Sequence, residues 1–160
     1  MGFFDKLLNN NQQNNATPTN NRGTLQDVRN YLNYKGWHYN DTGNMLKVGF
    51  DDMGKARHNV TFAITCTPSY YVYLADIGLY ACSDNIIEAL DYLNDINKTS
   101  QFGYAIIEDN FQVFIQYVQN NGHVPAALES LDMFINNVQY LLDTIPFHQY
   151  VNEGAFEWED

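Results

Sequence analysis

Histidine and cysteine are the residues of this chain best suited to bind a metal ion or to act as bases and nucleophiles. The histidines are His38, His58, His123 and His148. No two of them lie two or four residues apart, so the spacing of common zinc motifs is missing. A zinc site would need His38, Cys66 and Cys82 to come together from distant segments. The alternative makes His38 a surface residue and both cysteines small buried side chains.

The acidic and hydroxyl residues offer two further kinds of chemistry. Four aspartates, at positions 41, 51, 52 and 76, would supply oxygen ligands for calcium or magnesium, but no D-x-D-x-D-G loop is present. No serine stands in a G-x-S-x-G elbow, and neither a G-x-G-x-x-G nor a Walker loop occurs. We therefore expect no catalytic residue, no metal and no cofactor, and we expect that the protein is not an enzyme.

Charge is distributed unevenly along the 160 residues. The formal net charge is −11, and residues 99–160 contain nine acids without a single Lys or Arg. Nucleic-acid binding needs clustered Lys and Arg that neutralise phosphates, so we expect no nucleic-acid partner. Any partner of the second half must accept a negative surface.

The sequence has neither a membrane-spanning nor a secretory pattern. No stretch approaches the roughly 20 apolar residues of a spanning helix. Residues 1–8 lack the basic start and the long apolar run of a signal peptide. Two cysteines are too few for a disulfide framework. We expect a cytoplasmic protein.

Residues 1–23 differ in composition from the rest of the chain. Four apolar residues at the start fall on one face of a two-turn helix: Phe3, Phe4, Leu7 and Leu8. Residues 9–23 form a linker rich in Asn, Gln and Thr, with no face to bury. The apolar face would dock on a partner protein or make peripheral contact with a membrane. The alternative is a frayed start, or one that packs on its own domain.

Three segments have the pattern of amphipathic helices. Thr24 is predicted to cap a helix that ends at Gly36, and Ser83 a helix that runs to about Asn97. The third is predicted from Pro125 to Ile145, where apolar residues recur at steps of three and four. Its apolar row is Leu128, Leu131, Ile135, Val138, Leu142 and Ile145.

Between the helices lie segments with the patterns of strands. They are predicted at residues 37–39, 45–51, 59–67, 70–77, 102–108 and 111–119. In residues 59–67 apolar and mostly Thr positions alternate, which is typical of a strand with one buried and one solvated face. The element order predicts an α+β domain with an antiparallel sheet over residues 24–150. Residues 151–160 are predicted to be an acidic, aromatic tail.

The end of the second helix and the strand after it carry a recognisable pattern: Leu93-Asn94-Asp95-Ile96-Asn97 is followed by Phe102-Gly103-Tyr104-Ala105. This resembles the L-N-x-x-N helix end and F-G strand of the YbjN family, the bacterial sensory-transduction-regulator domain. Asp109-Asn110 occupy the usual hairpin turn of that family. The resemblance implies the fold shared with type III secretion chaperones, in the order α-β-β-β-α-β-β-α and often dimeric. It also implies a domain that holds partner proteins and has no established catalytic residue.

The strand predicted at residues 70–77 is apolar on both faces, which leaves its orientation open. One arrangement buries the aliphatic residues 72 and 74 under the helices and exposes Tyr71 and Tyr73 on the open face of the sheet. Tyr offers a large contact area with a polar tip, which suits protein recognition. Trp37 and Tyr39 would extend this patch. The alternative is a strand buried on both faces, or a face covered by the N-terminal residues.

The third helix is apolar over a wider arc than a single row. Four residues flank its main row: Met133, Phe134, Tyr140 and Leu141. A helix this apolar usually has a second neighbour, and we expect that neighbour to be a second copy of the chain in a two-fold dimer. The alternative is burial of all four between the sheet and the first helix.

These patterns favour a non-catalytic protein-binding domain, chaperone-like or regulatory, that uses an aromatic sheet face and a homodimer interface. Its partner would be another protein. One alternative is a small enzyme or ligand-binding domain with a site between the sheet and the helices. A second is a secretion-associated effector or cargo that is recognised through residues 1–23.

Overall fold

The structure, a computed structural model, describes residues 22–55 and 58–159. In this part of the chain four α-helices follow one another with strands between most of them. They are α1 (Leu25–Lys35), α2 (Ile86–Thr99), α3 (Val124–Thr144) and α4 (Phe147–Asn152). A short 3-10 turn, Ser83–Asn85, precedes α2. None of the described helices is both long and apolar enough to cross a membrane.

Seven strands are found among the described residues. They are β1 (Asn40–Asp41), β2 (Met45–Met53), β3 (His58–Cys66), β4 (Tyr70–Ala81), β5 (Tyr104–Ile107), β6 (Gln112–Asn120) and β7 (Phe156–Trp158). The predicted apolar segment at Phe3, Phe4, Leu7 and Leu8, and the predicted linker up to residue 21, lie outside the described residues.

The strands form one antiparallel sheet in the order β1-β2-β3-β4-β6-β5, and β7 pairs with β4 beside this path. Successive side chains of a strand point to opposite faces, so the sheet has two faces. Buried residues of all four helices join one core cluster with residues of one of these faces, which we call the first face. The other is the second face. The predicted α+β class with an antiparallel sheet is confirmed.

Helix α1 begins and ends where its sequence predicts. The backbone N–H of Thr24 donates a hydrogen bond to the Asp27 carboxylate at 2.7 Å, which ties down the first turn. Gly36 ends the helix with φ 69°, a left-handed conformation that glycine adopts without steric cost. Between these caps Val28 and Leu32 are fully buried against the first face.

The core between the helices and the first face consists of aromatic rings in contact. The ring centroids of Phe62 and Phe134 are 5.9 Å apart, and those of Tyr73 and Phe134 are 6.0 Å apart. All three side chains are at most 1% exposed. Because these rings fill the space between sheet and helices, the described residues give no support to a ligand site there.

Residues 37–39 do not form the predicted strand. The Trp37 backbone N–H donates to the Leu32 carbonyl at 3.0 Å, so the chain is still completing the last turn of α1 at this point. Strand β1 starts only at Asn40. Two bonds of 2.6 and 3.1 Å from the Arg29 guanidinium to the Asp41 carboxylate tie β1 to α1.

The last residues of the chain are part of the domain, so the prediction of a tail from residue 151 is wrong. The predicted boundary falls inside α4, and β7 pairs with residues 79–81 of β4. Tyr150 and Phe156 are 6% and 1% exposed. The Tyr150 ring stacks on Tyr92 of α2 with centroids 3.8 Å apart. Phe156 is buried and Trp158 partly buried against the main core, and Glu153, Glu157 and Glu159 remain exposed.

The chain is already attached to the sheet at Arg22 and Gly23, the last two residues of the predicted linker. The Gly23 N–H donates to the Asn121 carbonyl at 2.8 Å, and the Arg22 guanidinium donates to the Pro68 carbonyl at 2.9 Å. A Cβ atom at position 23 would lie 2.2 Å from the Tyr71 hydroxyl oxygen, so glycine is required. Residues 1–21 therefore join the domain at the end of the sheet where β3 turns into β4.

Candidate binding face

The second face is the side of the sheet on which no described helix packs. Three rows of side chains cross it at the paired positions of the strands. The first row is Met45, Thr65, Val72 and Val118. The second row is Lys47, Ala63, Leu74, Gln116 and Tyr104. The third row is Thr61, Asp76, Phe114 and Ile106.

The centre of the second face is apolar. A cluster separate from the main core lies here, with five members that are each at most 7% exposed: Met45, Ala63, Val72, Leu74 and Phe114. Ile106 packs against its edge. All six come from strands and none from a described helix. The sheet is therefore hydrophobic on both sides, and within the described chain only strand residues form the cluster on the second side.

A depression of about 230 Å³ lies where the second and third rows meet. The most buried of its lining residues are Ala63, Leu74 and Phe114. Its rim includes Lys47 of β2 and Asp76 of β4. An apolar centre inside a polar rim is the usual anatomy of a protein-binding surface. The depression has room for side chains of a bound segment.

The strand geometry holds Asp76 in place at the rim. Its carboxylate accepts hydrogen bonds from the Gln112 side-chain amide at 2.8 Å and from the Gly78 backbone N–H at 3.0 Å. The second bond depends on an irregularity of β4, because the register shifts between Asp76 and Leu79, with Gly78 at φ 68°. With Lys47 nearby, the rim carries one group of each sign.

Two polar side chains of the second face are buried and have no hydrogen-bond partner among the described residues. These are the amide nitrogen of Gln116 and the hydroxyl of Thr65, in residues that are 4% and 2% exposed. The Gln116 amide oxygen accepts a bond of 2.5 Å from the Tyr104 hydroxyl, which orients the amide. An unmet buried polar group costs about 1–3 kcal/mol. A ligand that brings an acceptor to this nitrogen would remove that cost.

Neither Gln116 nor Thr65 stands out in the sequence as a candidate for binding. A signal exists for Gln116, which interrupts the apolar run Val113-Phe114-Ile115 and Tyr117-Val118 of β6. A polar residue at the centre of a strand that is apolar on both sides needs a partner or a function. Thr65 gives no such signal, because Thr is common at strand positions that face water.

Tyr71 and Tyr73 lie on the first face, so the prediction that they form an exposed aromatic patch is wrong. They are 0% and 1% exposed. In the register of β3 and β4, Tyr71 is opposite Cys66 and Tyr73 is opposite Ile64. Both tyrosines therefore share the side of β3 that carries its apolar residues, and Val72 and Leu74 face the other way.

The tyrosine hydroxyls explain why this orientation is stable. Tyr71 donates to the Thr24 carbonyl at 2.9 Å, and Tyr73 donates to the Ala127 carbonyl at 2.5 Å. Both acceptors lie at the beginning of a helix, α1 and α3 respectively. Burial raises the pKa of both phenols, so they remain donors. Only the first face offers these helix carbonyls.

Trp37 and Tyr39 pack against the main core, so they do not extend the second face as predicted. The Trp37 ring meets the edge of Phe50, a first-face residue of β2, with centroids 5.1 Å apart. The Lys35 ammonium lies 5.4 Å from the Trp37 ring centroid in a cation–π contact. The turn at Gly36 returns this part of the chain to the helix-covered side.

The four residues predicted for a dimer interface divide into two pairs. Phe134 and Leu141 are 0% and 1% exposed and belong to the core, so the prediction is wrong for them. Met133 and Tyr140 are 55% and 41% exposed and line a depression of about 350 Å³ together with Phe102. The helical repeat causes the division, since residues seven apart share a face and adjacent residues do not.

No protein-family model and no curated protein matches this sequence significantly. A solved structure does match the fold: the crystal structure of YbjN from E. coli, for which a role as a transcription regulator has been suggested. The two superpose with a TM-score of 0.56 at 12% sequence identity, over 79% of this chain and 94% of that chain. The chain has a YbjN-like fold. The YbjN-like α+β fold that the sequence resemblance implies is thereby confirmed.

Within this YbjN-like fold, the described residues that could bind a metal ion or act as nucleophiles were compared with what such sites require. In residues 22–55 and 58–159, no three His, Cys, Asp or Glu side chains meet to hold a metal ion. Burial raises the pKa of the Cys66 thiol. Burial, with smaller contributions from Glu157 and Asp84, raises that of Cys82. A nucleophilic thiol needs a lowered pKa, so neither thiol is activated.

One histidine of the YbjN-like fold has a perturbed environment. His58 stacks on Trp158 of β7 with ring centroids 4.0 Å apart, and its Nε2 atom is buried without a partner among the described residues. Burial and, to a smaller extent, the neighbouring His148 lower the pKa of His58. The neutral form of His58 is therefore the one that fits the packing of β7.

Proposed function

We propose that this chain is a non-catalytic binding domain, chaperone-like or regulatory, that holds an apolar segment of another protein on the second face of its sheet. The observation that carries the proposal is the buried apolar cluster around Leu74, with the unpartnered amide nitrogen of Gln116 beside it. Apolar side chains of the partner would cover the cluster. A backbone carbonyl of the partner would accept a hydrogen bond from Gln116.

Charge supports a protein partner over a nucleic acid. The rim of the depression carries one base, Lys47, and one acid, Asp76. The C-terminal part of the chain, residues 99–160, has no Lys or Arg to contact phosphates. A regulatory role through protein binding is compatible with the role suggested for YbjN. We further propose that the protein acts in the cytoplasm.

Substitution at the rim tests the proposal. Thr61 is exposed and lines the depression, so Thr61→Arg would place a long charged side chain over the cluster with little effect on folding. Gln26→Arg, on the exposed side of α1, is the matched control. Partners would be captured with the full chain from cells and quantified by mass spectrometry. We expect Thr61→Arg to lose at least one partner that the wild type and Gln26→Arg both retain. Equal recovery by all three would contradict the proposal.

We also propose that the chain forms a homodimer through the exposed pair Met133 and Tyr140 on α3. Sedimentation velocity of the wild type against the double variant Met133→Lys/Tyr140→Lys tests this. A matched control exists on α2, where Ile87 and Leu90 are also exposed, as Ile87→Lys/Leu90→Lys. The dimer should dissociate only in the α3 variant. A monomeric wild type, or equal effects of both variants, would contradict the proposal.

A further inference from the structure

We propose that residues 3–8 of the same chain bind the second face and compete there with a partner segment. This inference rests on the proposed function, because it assigns a regulator to the same surface. Its occupant is the predicted apolar face of Phe3, Phe4, Leu7 and Leu8. Three observations support it: the point where the chain joins the sheet, the length of the connection, and the chemistry of the two surfaces.

The chain joins the sheet at the correct end for this contact. Arg22 and Gly23 are bound to Pro68 and Asn121, next to the first residues of β4. The first row of the second face, with Val72, begins two residues further along this strand. From Tyr70 to Asp76 the face spans six residues, or about 20 Å at 3.3 Å per residue.

The connection is long enough to reach every row. Thirteen residues, 9–21, separate Leu8 from Arg22. A linker of the kind that the composition predicts would have an average end-to-end distance of about 20 Å at this length, at 5–6 Å times the square root of the number of residues. The average reach therefore equals the length of the face. A tether of this kind gives an effective concentration in the range of about 1 mM, so weak contacts suffice to hold the segment.

The two surfaces are chemically complementary. The second face offers buried aliphatic residues around Phe114, and four of the six residues 3–8 are large and apolar. The remaining two, Asp5 and Lys6, are of opposite sign, as are Lys47 and Asp76 on the rim. Apolar contact and two exchanged ion pairs are thus possible in one arrangement. No net charge opposes it.

The inferred contact has a consequence for regulation. A partner segment must displace residues 3–8, so removing their apolar side chains should increase partner binding. Because the displaced segment remains tethered, the apparent affinity for the partner would depend on the difference in binding free energy between the partner segment and residues 3–8. The chain would then hold its binding surface covered when no partner is present.

Methyl NMR on the full chain tests the contact directly. The variant Phe3→Ser/Phe4→Ser/Leu7→Ser/Leu8→Ser removes the apolar residues and leaves the described domain untouched. Its matched control is Asn9→Ser/Asn10→Ser/Asn11→Ser/Asn14→Ser, with the same number of substitutions in the linker. We expect the first variant to shift the methyl signals of Ala63, Val72 and Leu74, and to leave those of Val28, Leu32 and Leu131 in place. The control should shift neither set, and dilution of the wild type should leave the signals of Ala63, Val72 and Leu74 in place.

The outcomes separate this inference from the proposed function. Unmoved signals at Ala63, Val72 and Leu74, or shifts confined to the first-face methyls, overturn the contact. Signals of Ala63, Val72 or Leu74 that change on dilution show that the second face contacts another copy, and overturn the inference as well. The comparison of partner capture by the wild type, Thr61→Arg and Gln26→Arg tests the proposed function alone. If the proposed function and the contact of residues 3–8 are both correct, the variant with Ser at positions 3, 4, 7 and 8 recovers more partner than the linker control.

Discussion

The two faces of β4 present neighbouring residues of one strand in opposite roles. Tyr71 and Tyr73 enter the first face, where rings and helix carbonyls satisfy both the apolar surface and the hydroxyl of each side chain. Val72 and Leu74 enter the second face, where the described neighbours are strand residues and where Gln116 keeps an unmet donor. Around Tyr71 and Tyr73 the first face is complete as a core. The second face retains unmet bonding capacity, which is what a binding surface needs.

The largest expected effect is a difference in the free energy of unfolding between a buried and an exposed tyrosine of β4. Tyr73→Ala should lower the free energy of unfolding by about 3–5 kcal/mol, because it leaves a cavity beside Phe134. Tyr70→Ala, at a residue 47% exposed in the same strand, should cost less than about 1 kcal/mol. Urea unfolding followed by circular dichroism measures both. Equal losses would show that the faces do not differ as described.

The next effect compares a satisfied buried amide with an unsatisfied one. The Asn137 side chain, 5% exposed, accepts hydrogen bonds from Gln101 and Phe102 and donates to Ser100 and to Phe102. Asn137→Leu should therefore cost about 1–3 kcal/mol, since it removes four hydrogen bonds and leaves partly buried groups of residues 100–102 without partners.

Gln116→Leu should change the free energy of unfolding far less, and in either direction. It removes an unmet donor, and it also removes the acceptor of the Tyr104 hydroxyl. Partner capture should fall in the same variant. A loss of stability equal to that of Asn137→Leu, with capture unchanged, would make Gln116 an ordinary structural residue.

The smallest expected effect is a pH dependence at the C-terminal edge of the first face. The pKa of folded His58 lies below its usual value of 6.5, so the unfolded chain takes up a proton first as the pH falls. Stability should therefore decrease as the pH drops below about 6.5, until the folded-state pKa is also passed. His58→Phe keeps a ring on Trp158 and should flatten this decrease. Thermal unfolding between pH 7.5 and 5 checks it, and identical slopes would contradict the assignment.

Elements with one dominant period could be predicted from the sequence. The apolar row of α3 leaves one choice of buried side, and the structure follows it. The alternation of β3 correctly predicts which residues face the helices, but the prediction that the opposite side is solvated is wrong for Ala63 and Thr65, which are 5% and 2% exposed. Strand β4 is apolar on both sides, so periodicity gives no preference. Its orientation depends on the register with β3 and on the carbonyls of Thr24 and Ala127, which lie 47 and 54 residues from their tyrosines.

The same limit applies to the end of the chain and to the candidate site. Strand β7 is three residues long and pairs with residues 79–81, far back in the sequence. The alternation of acids and aromatics in β7 predicts a tail, because the sequence does not show that β4 is its pairing strand. The second face is likewise made of two or three alternate residues from each of five strands, β2 to β6, and no motif in any one of them signals it.

Site-specific photo-crosslinking tests the central claim most directly. A benzophenone amino acid would replace Thr61 on the second face or Gln26 on the helix-covered side, in the full chain and inside cells. Adducts would be mapped to peptides by mass spectrometry. The account predicts adducts with apolar segments of another protein, or with residues 3–8 of the same chain, from position 61 and not from position 26. Adducts from position 26 alone would show that binding occurs on the helix side and would contradict the account.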